Sequence, residues 1–205
     1  MKICEPSFKI IDFTENALEL IERAGRICYQ SEPTGNPEAF VKRLIYSGHH
    51  TPLEMAHATV EIVCDRGVMA ELTRHRLASF NVASTRYQNY SKDKFGNEIT
   101  VIRPFFWEEN TKLYNEWEFA MFSAEVSYMR LLELGATPQE ARSVLPNSLK
   151  TEIVVSANFR EWMHLLKLRC GKAAHPQIKQ ICLPLLEEFH RLVPVLFDDI
   201  LQGVN

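Results

Sequence analysis

Two segments of the sequence, AHATVEIVC at 56–64 and LKTEIVVSAN at 149–158, place small or apolar residues at alternate positions, and they limit the possible folds more than any other feature. In the first, apolar residues occupy every second position from Ala56 to Cys64. Successive side chains of a strand point to opposite sides, so this pattern predicts a strand with one buried face. In the sequence before and after both segments, apolar residues recur at the spacing of a helix. The sequence therefore predicts an α+β fold, a small antiparallel sheet surrounded by long helices.

The helical patterns are delimited by ordinary start and stop signals. Gly48 suits the end of one predicted helix, and Thr137, Pro138 and Glu140 suit the start of another, which would carry Arg142. A stripe from Leu113 to Leu131 predicts a long helix ending near Gly135. Helices are predicted over 15–30, 36–48, 66–76, 113–135, from 138, 159–169 and from 176 with an interruption at Pro184; further strands are predicted over 8–13 and 97–104.

Length and charge bound the classes of function. The chain has 205 residues and a formal net charge of −3. We predict a single domain over 1–205 and no role in gripping a long phosphate backbone, which requires a strong basic excess. Five cysteines without a C-x-x-C pair predict no disulfide scaffold and no thiolate zinc site, hence a reducing, cytoplasmic setting. No apolar stretch is long enough to span a membrane.

The stretch RHRLASFNVASTRY at 74–87 is basic although the protein is mildly acidic. At the end of a predicted helix Arg74 and Arg76 diverge by about 200°, so they suit two ligands or a ligand and a second subunit. The alternative is that these cations only favour the helix dipole. The donors Ser79, Asn81, Ser84, Thr85 and Arg86 follow, and they suit a phosphate or a pyrimidine edge.

Other site chemistries find little support. No phosphate-binding glycine loop is present, so arginines and backbone amides would have to hold a nucleotide. GHHTPLEMAH lacks the H-E-x-x-H spacing, and no metal site is expected. Ser84 lacks the surroundings of a nucleophile, which leaves positioning as its role.

Arg74-His75-Arg76, seven residues and then Ser84 reproduce the R-H-R-x7-S signature of the flavin-dependent thymidylate synthases. The resemblance runs from about Gly25 to about Gln177. It includes GRICYQS, GHHTPLE, the A-R-x-x-L-P segment at 141–146 and SANFREWMHLLKLR, in the same order.

This resemblance implies methylation of dUMP to dTMP, with methylenetetrahydrofolate as carbon donor, NADPH as reductant and FAD as cofactor. It implies a homotetramer whose active sites lie between subunits, with no nucleic acid or membrane as partner. The implied flavin contacts are His49, Thr51, Arg74, His75, Arg76, Val82, Asn158, Arg160 and His164, with His49 also near the folate. The implied dUMP contacts are Glu71, Leu72, Thr73, Arg74, Val82, Ala83, Ser84, Thr85, Arg86, Arg142 and Arg169.

The implied chemistry needs no thiol. The ordinary thymidylate synthase attacks the pyrimidine with a cysteine of a Pro-Cys pair, and here no cysteine follows a proline. An arginine at the N3 and carbonyl edge can instead stabilise the deprotonated base, because a guanidinium stays charged even when partly buried. Ionisation raises electron density at C5, the carbon that must attack. By the family's pattern Arg169 has this role.

Three positions depart from the family's pattern. Val82 stands where Glu or Gln is usual, Glu71 where Gln is frequent, and His164 where an amide is common. Val82 removes a polar contact, and an ionised Glu71 suits a base N–H and not a phosphate. These departures keep open a same-fold flavoprotein acting on another pyrimidine nucleotide, or one of low activity. A third alternative is a single-stranded nucleic-acid-binding module, whose basic and aromatic platform would consist of Arg74, Arg76, Arg86, Tyr87 and Tyr90.

Overall fold

The computed structural model describes residues 1–28 and 30–204, so the part of the predicted helix 15–30 at Tyr29 lies outside the described residues. The strands are β1 (Lys2–Cys4), β2 (Ser7–Phe13), β3 (His57–Asp65), β4 (Ser79–Val82), β5 (Thr100–Ile102) and β6 (Lys150–Asn158). The helices are α1 (Ala17–Ile27), α2 (Pro37–Tyr46), α3 (Arg66–Leu72), α4 (Lys112–Glu133), α5 (Pro138–Ala141), α6 (Phe159–Arg169), α7 (Pro176–Leu192) and α8 (Pro194–Val204).

Both alternating segments are central strands of one sheet, whose order is β2-β3-β6-β4. Phe159 donates its N–H to the carbonyl of Ala56 at 3.0 Å, and the hydroxyls of Thr59 and Ser156 lie 3.0 Å apart. The two residue numbers have the same sum in each pair, as antiparallel neighbours require. The predicted α+β class with a small antiparallel sheet is confirmed. A separate parallel pair, β1 with β5, was not predicted.

The chain packs as two compact units, and the first comprises Met1–Ser7, Ile62–Leu72 and Asn81–Ile153. Its core lies under α4, where Trp117 and Tyr128 of the predicted stripe are buried. Leu113 belongs to the same predicted stripe but is 61% exposed, because the buried face begins at Tyr114. The buried carboxylate of Glu125 accepts the N–H of Ile99 at 2.9 Å, which ties α4 to the segment before β5.

The second unit comprises Phe8–Glu61, Thr73–Phe80 and Val154–Asn205. Its core is built from aromatic rings: Phe159 and Trp162 of α6 pack on Phe189 of α7, with ring centroids 6.3 and 5.1 Å away. Trp162 also donates its Nε1–H to the carbonyl of Ala58 at 3.0 Å. These contacts fix α6, which carries much of the candidate site. The prediction of one domain over 1–205 stays a prediction.

One helix boundary, that of α7, differs from the prediction. α7 continues through Pro184, and the break falls at Pro194. The predicted interruption at Pro184 is wrong, because burial of Ile181, Leu185 and Phe189 outweighs the single backbone hydrogen bond that a proline removes. Gly48 ends α2 with φ of +72°, as predicted.

Within the described residues, no helix combines the length and apolar character needed to cross a bilayer.

Candidate active site

The segment Arg74-His75-Arg76 lies in turns after α3, which ends at Leu72. The predicted helix over 66–76 is therefore wrong in its last turn, and the argument that the two arginines diverge by about 200° fails with it. His75 is only 4% exposed, whereas both arginines are exposed. The side chain of His75 bonds to residues of α6, which requires the chain to leave the α3 axis. All three residues line one cavity within the second unit.

The start of α6 is fixed by its own sequence. Asn158 caps the helix, since its Oδ1 accepts the backbone N–H of Glu161 at 2.9 Å. The next residue, Phe159, bonds through its N–H to Ala56, and Trp162 bonds to Ala58. The helix therefore begins at a defined position, and its cavity-facing side chains have defined origins.

The cavity has a volume of about 1060 Å³. Ligand pockets commonly span about 300–1,000 Å³, so this one is large enough for a dinucleotide-sized cofactor. Its charged lining consists of Arg74, Arg76, Arg160, Lys167 and Arg169 against Glu54, Glu161 and Asp199. Cations outnumber carboxylates, which favours an anionic ligand. Side chains such as Leu53, Met163 and Ile200 supply apolar wall.

His75 connects two charged residues of α6. Arg169 donates from Nε to His75 Nε2 at 3.0 Å, and His75 Nδ1 lies 3.1 Å from Glu161 Oε1. Burial lowers the pKa of His75, and the nearby Arg169 charge lowers it further, while the bond to Glu161 acts in the opposite direction. The exposed ring of His164 lies edge-on to His75, with centroids 5.6 Å apart. The predicted residues His75, His164 and Arg169 thus lie together.

Two more predicted residues, His49 and Thr51, line a smaller neighbouring cavity of about 300 Å³. Arg160 lines both cavities. Its Nη1 lies 2.6 Å from Glu54 Oε1, which aims the guanidinium along the cavity wall. Both sides of this pair are partly exposed, so the pair contributes little to stability and more to orientation.

Residues 83–86 form a loop directly after β4, and this loop and Val82, the last residue of β4, belong to the first unit. Ala83 donates its N–H to the carbonyl of Glu152 at 2.9 Å, which fixes the start of the loop against β6. Ser84 then begins a turn, and Arg86 donates from Nε to Gln139 Oε1 at 3.0 Å. Val82 is half-buried at the end of β4, and Thr85 is buried.

The remaining predicted nucleotide contacts differ in what they can offer. Arg142 is exposed and opens a 3-10 turn directly after α5, so it is not on the helix that was predicted to carry it. Gln139, three positions earlier, brings this turn near Arg86. Glu71 is half-buried on α3, and Leu72 is 1% exposed, so only the backbone of Leu72 is available to a ligand. Thr73 lies in the turn that follows.

Ligand atoms of His75, Glu161 and His164 lie within 4.8 Å of one another, a spacing that a metal ion could use. The contacts of His75 argue against a metal ion at this cluster. The lone pair of His75 Nε2 is occupied by the Arg169 Nε–H, and a guanidinium at this distance repels a cation.

Sequence reasoning missed Glu161, Glu54 and Lys167. The signal for Glu161 was available: it lies on the apolar face of α6 with Trp162 and Leu165, where an unpaired carboxylate is costly. Glu54 and Lys167 carry no such signal, because exposed charges on helices are ordinary.

The chain is thus an α+β protein with a cation-lined cavity that is large enough for a cofactor. A UMP/dUMP methylase, PolB from Streptomyces cacaoi bound with 5-Br dUMP, has the same fold, with a TM-score of 0.81 over 100% of this chain and 99% of that chain at 22% identity.

The sequence comparisons then give the family. The family model described as thymidylate synthase complementing protein matches residues 9–195. The flavin-dependent thymidylate synthase of Corynebacterium glutamicum is 32% identical over an alignment that covers 90% of this chain and 80% of the relative. That of Pyrococcus furiosus is 30% identical over an alignment that covers 87% of this chain and 77% of the relative. The chain belongs to the flavin-dependent thymidylate synthase family, so the predicted family is confirmed. Because members of this family are enzymes, the predicted enzyme is confirmed and the nucleic-acid-binding alternative is rejected.

Proposed function

We propose that this protein methylates dUMP to dTMP, using methylenetetrahydrofolate as carbon donor, NADPH as reductant and FAD as cofactor. The observation that carries the proposal is the contact of Arg169 Nε with His75 Nε2 at 3.0 Å in a cation-lined cavity. It joins the family's R-H-R signature to the arginine that the family's pattern assigns to the pyrimidine.

The lining of the large cavity fits a flavin dinucleotide. Arg74, Arg76 and Arg160 offer guanidinium donors for a pyrophosphate, which planar guanidinium groups bind in a bidentate manner. Asn158 and His164 lie on the same wall. We assign these residues, with His75, to the flavin, and His49 and Thr51 to its end nearest the folate. When bound, the flavin supplies the reducing equivalents that turn the transferred carbon into a methyl group.

Base activation falls to Arg169. A fixed positive charge at the N3 and carbonyl edge of uracil stabilises the base that has lost its N3 proton. The added electron density at C5 lets that carbon form the new bond to the one-carbon unit, whose bonds to the folate nitrogens break, and the C5 hydrogen leaves as a proton. Fixed donors of this kind contribute about 2.7–4 kcal/mol in other enzymes.

Three of the five thiols are buried and poorly suited to covalent activation, whereas Cys4 is half-buried and Cys28 is exposed. Burial raises the pKa of Cys64 and of Cys170 to about 12, so neither forms a thiolate at neutral pH. Cys182 is buried as well. A charge-based route that needs no thiol is consistent with this distribution.

The remaining predicted nucleotide contacts are assigned to dUMP. Ser84, Arg86 and Arg142 suit the phosphate, because a hydroxyl and two exposed guanidinium groups match its oxygens. Glu71 suits a base or sugar donor. The backbone of Leu72, Thr73, Val82, Ala83 and Thr85 completes the assigned set.

We further propose a homotetramer with active sites shared between subunits, in a reducing cytoplasmic compartment. α4 presents an apolar face to solvent: Phe119, Phe122 and Val126 are 66%, 54% and 51% exposed. Their spacing places them on one side of the helix. Exposed apolar stripes of this kind are typical of surfaces covered by another subunit.

The test is tritium release from 5-tritiated dUMP with NADPH and methylenetetrahydrofolate. We expect release by the wild type, and loss of release with retained dUMP binding in Arg169→Ala. Absence of release from a folded, yellow protein that binds dUMP would reject the proposal.

A second candidate is methylation of UMP in addition to dUMP, or in its place. The UMP/dUMP methylase of the same fold and the apolar Val82 both motivate it. Release from 5-tritiated UMP at a kcat/KM equal to or above that for dUMP would select this candidate. A strong preference for dUMP would reject it.

A further inference from the structure

The Glu161–His75–Arg169 contacts determine the protonation of the central ring. Arginine Nε always carries a hydrogen and has no acceptor capacity. His75 Nε2, which lies 3.0 Å from it, must therefore be the bare nitrogen that accepts. The proton of a neutral ring then lies on Nδ1, which donates to Glu161 Oε1 at 3.1 Å.

Neither other state of the ring keeps these contacts. In the Nε2–H tautomer two N–H groups face each other, and Nδ1 presents a lone pair to a carboxylate. In the imidazolium the Nε2–H again faces Arg169. Of the charged and titratable groups around the ring, Arg169 and the neighbouring His164 oppose its protonation and Glu161 favours it. Burial adds to the opposition, which keeps the ring neutral at physiological pH.

A carboxylate at this place is costly for the fold alone. Glu161 is 5% exposed and follows the cavity-lining Arg160 in the first turn of α6. Replacing both partners of a buried polar pair by apolar groups of similar shape is often neutral or stabilising, so the fold alone does not require the pair. Glu161 bonds to an uncharged imidazole and not to a cation. Its burial is therefore better explained by its effect on the protonation and orientation of the His75 ring.

We propose that Glu161 is a positioning residue, which holds His75 as the neutral Nδ1–H tautomer so that Nε2 fixes the Arg169 guanidinium for the pyrimidine base. The assignment rests on the proposed function, since it is Arg169 at the base that gives the positioning its purpose. An arginine side chain has several freely rotating bonds, and a bond at Nε fixes the plane in which its terminal nitrogens lie. Glu161 itself touches neither base nor flavin in this account.

The first test reads the ring directly and does not depend on activity. In protein labelled with ¹⁵N-histidine, long-range ¹H–¹⁵N spectra report which ring nitrogen carries the proton, and His75→Asn identifies the signals. We expect protonated Nδ1 and bare Nε2 for His75 at neutral pH, and a shift toward Nε2–H in Glu161→Leu. Nε2–H or imidazolium in the wild type would overturn the proposal, as would an unchanged tautomer in Glu161→Leu.

The second test is kinetic. We expect Glu161→Leu to lower kcat for tritium release roughly tenfold to hundredfold, with a smaller change in KM for dUMP and unchanged flavin content. Glu161→Gln should lie between this variant and the wild type, because the amide oxygen can still accept from Nδ1–H. Removing the carboxylate also lowers the pKa of His75 further, so the acid limb of the pH profile of Glu161→Gln should move to lower pH.

The matched control is Glu22→Gln. Glu22 is as buried as Glu161, 4% against 5%, and bonds to Arg26 at 2.7 Å in α1. We expect this variant to lose stability but keep kcat. Equal losses of kcat in the variants at Glu22 and Glu161 would assign Glu161 to the fold and overturn the proposal. A wild type without tritium release would reject the proposed function, while the tautomer measurement would still decide the positioning.

Discussion

Asn158 has two roles in this account, and they can be separated by substitution. Its Oδ1 caps α6 through the N–H of Glu161 at 2.9 Å, and its amide is assigned to the flavin. Asn158→Ala removes both. Asn158→Asp keeps a capping oxygen but replaces the amide donor by a negative charge, which opposes a flavin pyrophosphate.

The expected magnitudes follow from the cap geometry. Loss of an N-cap costs about 1 kcal/mol of unfolding free energy, within a range of about 0.5–2. For a chain of this length, 1 kcal/mol corresponds to a fall in Tm of about 2–4 °C. Asn158→Asp should cost nothing or stabilise slightly, because an acidic residue at a helix N-terminus gains about 0.3–1 kcal/mol from the dipole. We expect both variants to lose flavin, with at least a tenfold rise in its Kd.

The assay pairs urea unfolding of flavin-free protein with a flavin titration followed by fluorescence. Flavin must be absent from the first measurement, because a bound ligand adds its own stabilisation. The control is Asn36→Ala, which removes the cap of α2, where Asn36 Oδ1 accepts the N–H of Ala39 at 3.0 Å. It should lose the same stability and keep flavin affinity.

Two results would contradict the roles assigned to Asn158. If Asn158→Asp lost as much stability as Asn158→Ala, the capping role would be wrong. If both variants bound flavin like the wild type, the assignment of the Asn158 amide to the cofactor would be wrong.

Three further predictions concern the site. Arg76→Ala should lower the flavin that co-elutes on gel filtration, and unchanged flavin content would show that Arg76 is not a cofactor contact. Because burial lowers the pKa of His75 below its ordinary value of 6.5, the unfolded chain binds the extra proton; the unfolding free energy should therefore fall as pH drops below about 6.5, and less so in His75→Asn. Equal pH dependence in both proteins would contradict the neutral ring. Cys28→Ser should retain full tritium release, since no thiol activates the base; loss of release with flavin still bound would point to a thiol mechanism.

Much of the fold was readable because its signals are local. β3, β6 and α6 begin and end close to the predicted positions, since alternation, helical spacing and the Asn158 cap act within a few residues. α7 differs because its continuation through Pro184 depends on apolar contacts with other helices. The parallel pair β1–β5 joins residues that are distant in sequence, which no local pattern reports.

The site was predictable to a different degree. The family signature selected Arg74, His75 and Arg76, but the turn that places them was misread as helix, because the pattern of 66–76 is helical and the competing side-chain bond of His75 is not visible in it. Glu161 was missed although its place among the apolar residues of α6 marks it as a buried carboxylate. Its role depends on His75, which lies far away along the chain.

In the proposed reaction Arg169, fixed by His75, stabilises the ionised uracil without a thiol. The most direct measurement is a crystal structure of the complex with dUMP. We expect a terminal nitrogen of Arg169 within about 2.7–3.2 Å of N3 or a carbonyl oxygen of the base, with Nε still bonded to His75. A guanidinium far from the base, with no other cation in its place, would contradict it.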